Sequence, residues 1–130
     1  MFGEIDLTMI TEDYVSFEIA KLLKEKGFNK YPLFPCYKED SGEFIDIPTT
    51  LDTINYCFIP AATLQMAMKW LRKTHNIDII INVSSKDESD DKRKYTYAIV
   101  SKHFVGTDNV KRIYEKACET AIKYCLENLI

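Results

Sequence analysis

Val110, Ile113, Tyr114, Ala117, Cys118, Ala121, Ile122, Cys125 and Leu129 recur at steps of three and four residues through the last part of the chain. At about 3.6 residues per turn this spacing sets them along one side of a helix, and a helix apolar on one side needs a core to cover. Thr107 or Asp108 suits the N-cap, so the predicted helix starts there and runs to the end. Cys118 and Cys125 fall on the apolar side, where a thiol acts as a small hydrophobe.

Two earlier stretches share the period. In TEDYVSFEIAKLLKEKG, Thr11 can cap, Glu12 and Asp13 suit the positive end of the helix dipole, and Gly27 suits a left-handed exit. Its predicted buried face is Val15, Ile19, Leu22 and Leu23. A second helix is expected over 61–75, around TLQMAMKWLRKTH, with Leu64, Ala67, Met68 and Leu71 on one face. Trp70 lies about 120° from the centre of that face, beside Thr63, Met66 and Thr74, so this helix is apolar on two sides. Either it is wedged between the sheet and another element, with Leu51, Ile54, Tyr56 and Phe58 of segment 49–59 as cover, or Met66 and Trp70 form a patch that binds a partner.

Between the helices the period changes to two. IDIIINVS alternates, with Ile77, Ile79, Ile81 and Val83 on one side and Asp78, Ile80, Asn82 and Ser84 on the other. YTYAIVS, 95–101, is its expected antiparallel partner, across an exposed polar loop at 85–94. FPCYKEDSGEFIDIP reads as a hairpin turning at Asp40, Ser41 and Gly42, with Pro35 and Pro48 at its outer ends. Another short strand is expected at Tyr56 to Ile59. The order helix, hairpin, helix, hairpin, helix predicts one α+β domain over 1–130, an antiparallel sheet with helices packed on one face, and a mobile stretch at 1–10.

Composition narrows the function classes. With 46% hydrophobic and 28% charged residues in 130, the chain should fold as a single domain. A net charge of −3 does not supply the basic footprint of a protein that lives on phosphate backbones. No apolar run approaches the roughly 20 residues that span a bilayer. MFGEIDLTMITED lacks the basic start and apolar block of a signal peptide, which predicts a cytoplasmic protein with no membrane partner. The four cysteines include no CxxC pair, so free thiols are expected.

Chemistry is sparse. A metal centre would need Cys36, Cys57, His75 and His103 to converge, and their spacing lacks the paired knuckles of zinc sites. A thiol nucleophile would need Cys36 or Cys57 beside His103, which nothing local favours. GxSxG, HExxH, Walker and GxGxxG patterns are missing, and four glycines leave little to build a phosphate loop from. Asp87 with Glu88, and Asp90 with Asp91, fall in the polar loop, where water keeps carboxylates near their ordinary pKa. No catalytic, cofactor-binding or metal residue is therefore assigned, and no enzyme is expected. Lys69, Arg72 and Lys73 form a basic patch that a nucleic-acid reader would pair with Tyr95 and Tyr97 as stacking surfaces. Against that alternative stand the acidic total and the simpler roles of basic residues at a helix end and of tyrosines packed in a strand.

Taken together, TEDYVSFEIAKLLKEKGF, TLQMAMKWLRKTHNIDI and ACETAIKYCLENLI resemble a group of small proteins carried by phages and mobile elements of gut Bacteroides-type bacteria. The resemblance spans most of the chain but not 31–59 or 85–94. It implies a bacterial host cytoplasm and an accessory role. The group brings no activity, cofactor or catalytic residue that could be carried onto this sequence. The expectation is a non-enzymatic intracellular accessory protein that works by protein–protein binding, to a host factor or to a second copy of itself, with nucleic-acid binding as the alternative.

Overall fold

Ser16 and Thr63 each stand in extended backbone with the side-chain oxygen accepting from the N–H three residues on, Ile19 at 3.3 Å and Met66 at 3.1 Å. Those caps start α1, Phe17–Glu25, and α2, Leu64–His75. The structure is a computed structural model that describes residues 13–28, 35–45, 58–84, 94–101, 104–111 and 113–130. Thr11, Glu12 and the stretch 1–10 lie outside these.

Helix α1 therefore begins later than its acids suggested. Residues 13–15 spend their backbone groups elsewhere: Tyr14 bridges Thr63, Val15 N–H donates to the Ala62 carbonyl at 2.9 Å, and Leu64 N–H donates to the Asp13 carbonyl at 2.9 Å. This ladder satisfies donors that another turn of helix would have used. It also ties the start of α1 to the start of α2. Gly27, at φ 102°, makes the expected left-handed exit, and Asn76 does the same after α2 at φ 57°.

Two small antiparallel sheets follow. The strands β1, Cys36–Lys38, β2, Phe44–Ile45, and β3, Phe58–Pro60, lie in the order β2-β1-β3, with Tyr37 opposite both Phe44 and Ile59. The hairpin turns at Gly42 with φ 75°. The strands β4, Asp78–Ser84, β5, Lys94–Ser101, and β6, Phe104–Lys111, lie in the order β4-β5-β6. Ile81 pairs with Tyr97 and Ile79 with Ile99.

Strand β6 is the main departure from expectation. Thr107 and Asp108 sit within it, opposite Ala98 and Tyr97, rather than at a helix cap. The last helix, α3, spans Tyr114–Asn128, with Ile113 at its N-cap and no side-chain capping bond. An N-cap signal is local, whereas β5 offers a whole open edge of backbone donors and acceptors that 104–111 can fill. Val110 is accordingly a strand residue. The order is helix, three strands, helix, three strands, helix, so the two hairpins of the sequence reading are each a three-stranded sheet.

Helix α3 packs against β4, β5 and β6 and also against α1 and α2, while α2 touches β4 and α1 touches β3. Its Ala117, Cys118, Ala121, Ile122, Cys125 and Leu126 are all fully buried. Around them gather Ile19 and Leu23 of α1, Leu64, Ala67, Met68 and Leu71 of α2, and Ile77, Tyr97 and Ile99 of the larger sheet. The face forecast for α2 is the buried one. Val15 is buried from the ladder rather than from the helix, and Leu22 is half-buried. The loop expected at 85–94 lies outside the described residues except for Lys94, which opens β5.

Candidate functional site

Helix α2 turns its second apolar side toward the segment that leaves α1. Phe28, buried just past the Gly27 exit, meets the Trp70 ring edge-on at 5.6 Å and 89°. One turn further along α2, His75 meets the same indole at 4.8 Å and 74°. Trp70 is thus held from two directions yet only half-buried, and Met66 beside it is half-buried too. The cover found here is Phe28; of segment 49–59, expected to supply it, 49–57 lies outside the described residues, and Phe58 stands in β3 opposite Lys38. His75 Nε2 is shielded from solvent and has no hydrogen-bond partner among the described residues.

The basic patch and the tyrosines meant to accompany it have different fates. Lys69, Arg72 and Lys73 are exposed on α2. Tyr97 is 5% exposed and belongs to the core, because it shares the inward side of β5 with Ile99. Its ring offers no face for a base to stack on. Tyr95 is half-buried and leans edge-on against Tyr114 at 5.8 Å and 85°. Of the two rings meant for stacking, Tyr97 is withdrawn into the core and Tyr95 keeps part of its surface in solvent.

Cys36, Cys118 and Cys125 are free and fully buried, and burial pushes their thiols up from 9.0 to about 11, about 11 and about 12. A thiol held protonated at neutral pH is a poor nucleophile and a poor metal ligand. Cys57 and His103 lie outside the described residues. Among the described residues no three of His, Cys, Asp and Glu are grouped as metal ligands.

One constellation escaped the sequence reading. Tyr14, Phe44, Tyr37 and Phe17 form a chain of ring contacts at 5.3, 5.4 and 5.5 Å, and Lys21 Nζ stands 5.2 Å above the Phe17 ring. The Tyr37 hydroxyl donates to the Val15 carbonyl at 2.5 Å. Tyr37 and Phe44 flank the Gly42 turn and were open to reading as a cross-strand pair; Tyr14 and Phe17 join only through the fold. Beside this cluster an open groove on α1 and α3 is lined by Phe17, Glu18, Lys21, Leu22, Glu25 and Glu127, whose charged members all face water. Large apolar side chains also stand in solvent at Phe44, Ile80, Val83 and Ile113, which are 40, 47, 57 and 53% exposed.

Among the described residues no helix is long and apolar enough to cross a membrane. No family model, curated protein or solved structure matches the chain.

Proposed function

We propose that this chain is a non-enzymatic accessory protein of a bacterial host cell that acts by protein–protein binding, with Met66 and Trp70 in its contact surface. The supporting observation is the state of Trp70. Its ring is fixed edge-on by Phe28 and His75 while part of it remains in solvent beside Met66. A large aromatic already held in place loses little freedom when a partner covers it, which is how interface anchors gain affinity.

The test is affinity capture from host lysate with three baits: the wild-type chain, Met66→Lys, and Trp70→Ala. A protein enriched by the first and lost from both variants, each still melting cooperatively, is the expected result. No enrichment by a strictly monomeric wild-type chain would sink the reading.

A further inference from the structure

Strand β4 is seven residues long and has one strand neighbour among the described residues, β5, so its outer edge carries a row of backbone donors and acceptors. Edges of this length are normally blunted by a proline, a lysine, a bulge or a covering element. Asp78–Ser84 contains neither proline nor lysine, and its pairing with β5 runs in unbroken register. The irregularity of this sheet lies between Tyr95 and Tyr97, toward β6.

The side chains are unusual as well. Ile79 and Ile81 stand on the inward side and pack against the core, but Val83, next in the same alternation, is 57% exposed. The apolar row runs past the core that its own chain provides. We infer that two copies of the chain pair antiparallel through β4, joining their three-stranded sheets into one of six strands. This deepens the self-association branch of the protein-binding reading, on a surface other than Trp70.

The strand suits itself as a partner. A two-fold axis at Ile81 brings all seven residues into register: Asp78 opposite Ser84, Ile79 opposite Val83, Ile80 opposite Asn82, and Ile81 opposite its own counterpart. The inward side becomes a continuous ribbon in which Val83 is covered by the second copy's Ile79. The one charged residue, Asp78, meets an uncharged one, so no like charges oppose. Backbone bonding supplies the affinity of such an added strand, and the alternate side chains supply its choice of partner.

Sedimentation equilibrium of the full chain is the first test. Wild type should dimerise with concentration, Val83→Lys should raise the dimer dissociation constant about 100-fold by burying a cation opposite isoleucine, and Ile113→Lys, an exposed apolar site at the start of α3, should leave the dimer unchanged. Val83 is exposed enough that the variant should melt like wild type when dilute. Register is read by mixing Ile80→Cys with Asn82→Cys in a Cys57→Ser background: mild oxidation should link the mixture faster than either variant alone. A chain monomeric up to about 1 mM, a dimer indifferent to Val83→Lys, or no preference for the mixed pair overturns the proposal. Monomeric wild type that still captures a host protein through Met66 and Trp70 rejects the β4 dimer while leaving the binding reading intact.

Discussion

Burial of Cys36, Cys118 and Cys125 makes the folded protein hold protons that the unfolded chain gives up. The unfolded thiols ionise near 9.0, the folded ones at about 11 to about 12, so their contribution to stability should be level below pH 9.0 and fall as pH climbs toward 12. Tyr37 and Tyr114, also raised by burial, push the same way. Melting temperature against pH should show the fall, with a shallower slope in Cys125→Ala; a flat profile to pH 12 would contradict these burials. Trp70 carries a second residue-scale expectation. Half-buried between Phe28 and His75, it should be partly quenched by acrylamide, and Trp70→Ala should cost less than the about 3 to 5 kcal/mol of a fully buried ring. Full shielding together with a cost in that range would mean that the indole is enclosed.

At the scale of elements, what the sequence disclosed and what it hid divide along the range of the interactions. Leu64, Ala67, Met68 and Leu71 are legible because helical period is written in a dozen neighbouring residues and the core reads it directly. Cys118 and Cys125 follow from the same logic in α3. Helix starts were less legible: Thr11, Ser16 and Thr107 are all chemically able caps, and which one serves depends on what distant backbone offers. Residues 13–15 are claimed by 62–64, and 104–111 by β5. Phe28 as the neighbour of Trp70 is likewise a product of tertiary approach, with no trace in local pattern. The burial of Tyr97 was within reach, since it alternates with Ile99, but a tyrosine can end in water or in the core until the face is known. The β1-β2 turn yields a sharp element-scale test. Gly42 has φ 75°, and a Cβ there would lie 3.0 Å from Phe17 Cδ2. Gly42→Ala should cost about 1 to 2 kcal/mol from backbone conformation alone, read as a lower urea midpoint, and an unchanged midpoint would show that the turn relaxes freely.

Across the molecule, helix α3 is the piece on which the other two helices and the larger sheet lean. It meets α1, α2 and all three strands of the larger sheet. Ile122→Ala, at 0% exposure, should therefore cost about 2 to 5 kcal/mol, a large part of the about 5 to 15 kcal/mol of a typical domain, and urea curves followed by circular dichroism and by Trp70 emission should still coincide. Separated curves would show that the helices and the sheet unfold apart. The position of α3 in the chain has a further consequence for biosynthesis. Ribosomes deliver polypeptide at about 5 to 20 residues per second, and α3 emerges only after both sheets and the other two helices. Until Tyr114–Asn128 clears the exit tunnel, core residues such as Leu71, Ile77 and Ile99 lack that helix and stay exposed to water, so the nascent chain passes through a window of seconds in which chaperones and proteases compete for it.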